Sequence, residues 1–109
     1  MLLPRRRHAY IPEPKLTHYL LAPSHPVGGP KARFFIAHGF NEDRPASLGN
    51  GLLRIARQNE VRGTEETPHG TKYIVEGLLN TPRGTTVNVR TVWIADERGR
   101  PRFVTAHPS

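Results

Sequence analysis

TKYIVEGLLNTPRGTTVNVRTVWIADERGRPRFVTAH, Thr71 to His107, is the stretch that decides the fold. Three runs within it are rich in β-branched and aromatic residues: TKYIVEGLLN (Thr71–Asn80), TTVNVRTVWIA (Thr85–Ala95) and PRFVTAH (Pro101–His107). Such side chains suit a pleated, half-buried surface. TPRG and DERGR separate the runs and read as turns, so three strands joined by hairpins are predicted. Residues around Val61–Thr64 extend the pattern upstream as a fourth, edge strand.

Ahead of Val61 the period is helical. KLTHYLL (Lys15–Leu21) sets Leu16, Tyr19 and Leu20 at i, i+3 and i+4, which predicts one short amphipathic helix. A second helix is predicted over Pro30–His38, with proline in its first turn, Ala32, Phe35 and Ile36 on one face, and Gly39 as a left-handed stop. A third spans Pro45–Asn59 and carries Leu48, Leu52, Ile55 and Ala56 on one side. Gly49 and Gly51 weaken it, by roughly 1 kcal/mol each relative to alanine. Helices first and a meander second predict an α+β fold, N-terminal short helices packed on a three- to four-stranded antiparallel β-meander. Residues 1–14, holding Pro4, Pro12, Pro14 and the Arg5–Arg6–Arg7 run, read as a flexible basic arm, and 15–109 as a single α+β domain.

Charge is the strongest compositional signal. Sixteen Lys and Arg against nine Asp and Glu make +7 over 109 residues, with a pI near 10.8. All the cations except Lys15, Lys31 and Lys72 are arginine, the side chain that forks onto phosphate. A basic excess of this kind concentrates polyanions, nucleic acid first and an acidic protein second. Mean hydropathy is −0.55, and no apolar run approaches the roughly 20 residues of a membrane span. MLLPRRRHAY has its arginines after its apolar residues, which is the wrong order for a signal peptide. The absence of cysteine removes disulfides and thiolate metal sites and fits a reducing, cytoplasmic setting.

HPVGGPKARFF (His25–Phe35) places Lys31 and Arg33 in the first turn of a helix, where the macrodipole disfavours cations. Unpaired backbone N–H groups leave the same end, so a phosphate seat with His25 folded over Gly28–Gly29 is one reading. His25 then becomes the proton shuttle of an RNA transesterification. The competing reading is a solvated Lys31 and a loop histidine. In the central strand Val87, Val89, Thr91 and Trp93 alternate with Asn88, Arg90, Val92 and Ile94, so polar Arg90 and Thr91 fall close to the buried layer and need partners. In the last strand Phe103, Thr105 and His107 are expected on one face, with Thr105 ready to bind a phosphate oxygen and His107 as a second acid or base. Tyr73 and Trp93 suit a core as well as a stacking platform. His8, His18, His38 and His69 have no metal-ligand spacing, and no dinucleotide, P-loop or nucleophile-elbow motif occurs. The expected chemistry therefore uses no metal and no cofactor.

KLTHYLL, HPVGGPKARFFIAHGF, GTKYIVEGLL, VRTVWI and PRFVTAHP, in that order, resemble an uncharacterised bacterial domain family of unknown function. The likeness runs from Lys15 to Pro108. Members occur as short stand-alone proteins and as C-terminal modules of secreted polymorphic toxins. The resemblance implies a fold similar to the barnase, EndoU, colicin and RelE-like nucleases. By matching motif it points to His25, Lys31, Tyr73, Thr91, Trp93 and Thr105. It implies a small antitoxin or immunity partner, and it departs at His107, where an aromatic is expected.

The resulting expectation is a toxin-type, metal-independent ribonuclease acting in the cytoplasm, delivered there as a toxin module or made there. His25, Lys31, Arg90, Thr91 and Thr105 are its catalytic candidates, and Arg33, Lys72 and Tyr73 its RNA contacts. The rival is a non-catalytic basic module that binds nucleic acid or an acidic partner. Under either reading RNA affinity falls steeply with salt, by about 0.7 in log–log slope per phosphate contacted on a single strand. Filter binding across low to physiological salt checks this, and an unchanged affinity would remove the electrostatic reading.

Overall fold

The computed structural model describes residues 1–109. One turn of α-helix at Glu13–Lys15 widens into a π-helical segment at Leu16–Leu20, and the two together form α1. Helix α2 is Gly29–Ala37 and α3 is Pro45–Gln58. Strands β1 (Val61–Thr67), β2 (Gly70–Asn80), β3 (Thr86–Ala95) and β4 (Pro101–Pro108) follow, side by side in sequence order and antiparallel throughout. This is the expected α+β arrangement, with the edge strand β1 present.

Local chemistry sets the element ends. Gly39, at φ 100°, ends α2, and its N–H donates to Ile36 O at 2.9 Å. The reversal brings Phe40 back onto Phe35, with ring centroids 6.2 Å apart. In the β3–β4 turn the Asp96 carboxylate accepts the N–H groups of Arg98 and Arg100, each at 2.9 Å.

The helices cover one face of the sheet. Val75, Leu79, Val89, Trp93, Phe103 and Ala106 from the strands close on Leu16, Leu20, Phe35, Leu48, Leu52 and Ile55. Thr91 belongs to this layer and is fully buried. Its hydroxyl donates to Val75 O at 2.7 Å and accepts from Trp93 Nε1 at 2.8 Å. The polar demand of Thr91 is thus met internally, and Thr91 leaves the list of groups open to a ligand. The face that holds Val89, Thr91 and Trp93 is apolar apart from this one bonded hydroxyl, a cleaner separation than the alternation alone predicts.

The last strand corrects the expected facing. Trp93 pairs with Phe103 but Val92 pairs with Thr105, so Val104 is an extra residue in β4. A bulge of this kind breaks the two-residue period. Phe103 and Ala106 are both buried as a result, and Thr105 and His107 emerge on the opposite, open face.

The N-terminal segment, expected to be a flexible arm, is anchored at both ends. Leu3 is 1% exposed, and the N–H of Val61 donates to Met1 O at 2.7 Å. Tyr10 adds a parallel bridge to Arg102 on the free edge of β4, with Tyr10 N–H to Pro101 O and Phe103 N–H to Tyr10 O, both at 3.0 Å. An open strand edge needs such cover, and Leu3 and Ala9, on either side of the arginine run, hold the segment by joining the core.

The Tyr10 hydroxyl also donates to Asp96 Oδ2 at 2.8 Å, beside Arg100 Nε at 3.1 Å. Burial raises the Asp96 pKa, but the hydrogen bonds from Arg100, Tyr10 and Arg98 and the Arg100 charge outweigh it and hold the carboxyl at about 2. A folded pKa below the unfolded one lends stability that is complete above about pH 4 and is lost as pH falls through the folded value. The melting temperature therefore drops between about pH 4 and pH 2, and Asp96→Asn, less stable at neutral pH, has a shallower acid limb. Thermal melts across that window test it, and equal acid limbs would refute the assignment.

A candidate catalytic cluster at the β4 edge

The path from α1 to α2 is built around Tyr19. The π-helical turn, closed by Leu21 N–H to Leu16 O at 2.9 Å, carries Tyr19 near its end. Wide turns of this type recur at functional sites. The chain then doubles back, and the His25 Nδ1 accepts the N–H groups of Val27 at 3.0 Å and Gly28 at 2.8 Å. A Cβ on Gly28 would lie 2.5 Å from Tyr19 O and 2.7 Å from its Cδ1, so only glycine lets the loop pass this close.

That loop overturns the expected phosphate seat at the helix start. Two of the amides there are claimed by His25 itself, and Gly29 N–H goes to His25 O at 2.8 Å. With Nδ1 accepting, the neutral ring carries its proton on Nε2. Lys31 answers its unfavourable place by leaving the helix end. Its Nζ donates to Tyr19 OH at 2.8 Å and to Thr105 Oγ1 at 2.9 Å.

Tyr19 OH and Thr105 Oγ1 are themselves 2.9 Å apart, which closes a triangle of one ammonium and two hydroxyls. Lys31 has three N–H donors and spends two inside the triangle. One is left for a ligand. The His25 ring stands edge-on to Tyr19, with centroids 5.2 Å apart. Lys15 Nζ lies 5.0 Å and Lys31 Nζ 5.3 Å from the Tyr19 ring centre. Burial pushes the Tyr19 pKa up. The hydrogen bonds from Lys31 and Thr105 and the charges of Lys31 and Lys15 outweigh that and leave it below the ordinary phenol value. The cluster can thus offer a proton-exchanging oxygen beside fixed positive charge.

The open sheet face continues from Thr105. Cross-strand register sets Ile74, Val92 and Thr105 in one row and Glu76, Arg90 and His107 in the next. Arg90 Nε lies 3.1 Å from Glu76 Oε2, and Arg62 Nε lies 3.5 Å from Glu76 Oε1. Arg90 therefore reaches the neighbourhood of the triangle already paired. A third row aligns Lys72, Ile94 and Arg102, with Glu65 beside Lys72 in β1.

Of the residues singled out in the sequence, the structure brings His25, Lys31 and Thr105 together. Arg90 and His107 stand one row away, and Lys72 lies further along the same face. Arg33 is exposed on α2. Tyr73, expected as an RNA contact, packs against the core on the helix side, as does Trp93. Sequence reasoning missed Tyr19 because its i+3 place made it one of three apolar residues of an amphipathic helix. Lys15, four positions before it, was the available signal: a cation one turn away on the same face of a helix.

A family model described as a domain of unknown function, DUF6883, matches residues 2–109. No curated protein sequence matches the chain. Among solved structures, a chain of a contact-dependent growth inhibition toxin–immunity protein complex from Klebsiella pneumoniae 342 is similar, with a TM-score of 0.75. The two are 16% identical, and the alignment covers 97% of each chain. At this identity the likeness is one of fold. No helix is long and apolar enough to cross a membrane.

Tyr10 and Tyr19 have opposite surroundings, which makes them separable. Tyr10 is raised by burial and by its bond to the Asp96 carboxylate, whereas Tyr19 is lowered. In an alkaline absorbance titration Tyr19 ionises first, identified by its loss in Tyr19→Phe, and Lys31→Met moves that step to higher pH. A Tyr19 transition indifferent to Lys31 would break the link.

Proposed function

This chain belongs to the DUF6883 family, and on that premise we propose that it is a toxin-type, metal-independent ribonuclease that cleaves RNA by 2′-hydroxyl attack. The observation that carries the reading is the Lys31 ammonium held between the Tyr19 and Thr105 hydroxyls with one N–H to spare. Two further points support it. The charge of +7 draws polyanions, and the fold is shared with a chain of a toxin–immunity complex. On charge, this chain fits the toxin side of such a pair. A neutralising partner, by complementarity, is acidic.

In the proposed reaction a non-bridging phosphoryl oxygen takes the free Lys31 N–H and the His25 Nε2–H. The 2′-oxygen bonds phosphorus and gives its proton to the Tyr19 oxygen, the step requiring the phenolate, whose formation Lys31, Thr105 and Lys15 ease by lowering the phenol pKa. The 5′-oxygen leaves with a proton from His107, which yields a 2′,3′-cyclic phosphate and a 5′-hydroxyl end. Lys31 and, by sharing its contact with Glu76, Arg90 stabilise the charge that grows on the phosphorane. Electrostatic stabilisation of this kind is usually the largest contribution to rate. Thr105 holds the Tyr19 oxygen in place. His25 is here a hydrogen-bond donor rather than the expected proton shuttle, because its other nitrogen is bound to backbone.

Two observations favour the second reading, a non-catalytic module that holds RNA or an acidic partner. Glu76 already occupies Arg90, and His25 presents no basic nitrogen to the triangle. Incubation with bulk RNA in EDTA decides between them. The wild type is expected to cleave, and Tyr19→Phe and Lys31→Ala each lower the rate by about 10²–10⁴-fold with a near-native melting temperature. RNA retained uncut would select the binding module, and wild-type rates in both variants would remove the triangle from the chemistry.

A further inference from the structure

Around the N-terminal segment, arginines gather without ion-pair partners. Arg5, Arg6 and Arg7 line one concavity, and Arg57 of α3 reaches across to donate to Arg6 O at 3.3 Å and to Ala9 O at 3.4 Å. Arg54, three residues before Arg57, shares its helix face and is exposed. None of the five forms an ion pair. Like charges brought together in this way repel, and the fold spends conformational strain to keep them so. Arg5 is the one residue other than glycine with positive φ, at 56°, and its guanidinium bonds the Arg98 carbonyl. The cluster is thereby pinned against the β3–β4 turn.

We infer that this arginine surface is a second phosphate-backbone site, which holds RNA at a distance from the point of cleavage; the inference rests on RNA being the ligand of the β4-edge cluster. Arginine without an exposed aromatic anchor suits repeated phosphates better than the centre of a protein interface, which favours aromatic and apolar anchors. Every tyrosine, tryptophan and phenylalanine of the chain is at least half-buried. The position also suits a strand. From Arg100, at the turn that Arg5 grips, to Thr105 is about 16 Å along β4 at roughly 3.3 Å per residue. A substrate must therefore extend several nucleotides beyond the scissile bond to touch both sites.

The test uses the full chain and a fluorescein-labelled 2′-O-methyl oligouridine, whose blocked 2′-oxygen prevents cleavage, so binding is read apart from activity. Arg7→Gln with Arg54→Gln, both exposed side chains with no recorded hydrogen bond, should reduce the log–log salt slope by about 1.4, at about 0.7 per contact. Each single variant should give half that change, with unaltered melting. An unchanged slope and affinity would overturn the inference. Loss of poly-glutamate binding alongside an unchanged RNA slope would overturn it in favour of an acidic protein partner. The slope difference between variant and wild type, found together with a wild type that cuts no RNA, would remove the ribonuclease reading and leave this surface standing as a phosphate site.

Discussion

One ammonium joins the three parts of the fold that meet at the β4 edge. Lys31 starts on α2, and its two bonds end on α1 and on β4. Left at the helix start, the charge would oppose the macrodipole and face exposed N–H groups. Carried to two hydroxyls that already bond each other, it adds a charged donor to a half-buried pair. The same bonds orient Tyr19 and lower its pKa, so the contact that relieves a local conflict also sets the surroundings of the phenol. His25 completes the arrangement by closing the loop on its own backbone, which quiets the helix end that Lys31 leaves.

A second constraint comes from the sheet. Three helices cover only one face of four strands, so the other face has room for polar side chains among Ile74, Val92 and Ile94. Glu76, Arg90, His107 and Thr105 accordingly lie there in two adjacent rows. Thr91, next to Arg90 in the chain, faces the helices and is consumed by Val75 and Trp93. Two neighbours with similar polar character thus have unrelated roles, one in cohesion and one beside the candidate site. The bulge at Val104 matters for the same reason: without it Thr105 would point into the core with Phe103, and the triangle could not form.

Charge is distributed to match. Glu76 tempers the arginines near the cluster, whereas those at the N-terminal end are left bare. On the proposed function, a surface graded in this way would hold RNA more firmly at the N-terminal segment than at the cluster. The segment that carries the bare arginines also covers the β4 edge through Tyr10. Exposed charge and strand protection are therefore carried by one short segment.

Local periodicity determined much of this protein from its sequence alone. Three helices, a meander, its turns and the Gly39 stop all follow from spacing over a few residues, because backbone propensity and facing are short-range properties. The net charge and the nomination of His25, Lys31 and Thr105 were legible in the same way. Tertiary structure alone decided what those residues do. Lys31 and Thr105 are 74 positions apart in the chain, and no local rule sets a hydroxyl beside an ammonium over that distance. The bulge that turns Thr105 outward arises from register with β3, and the loss of Thr91 to the core arises from the same pairing. Tyr19 passed as an apolar helix residue because a phenol carries both a hydrophobic ring and a polar tip, and only packing chooses which one is used.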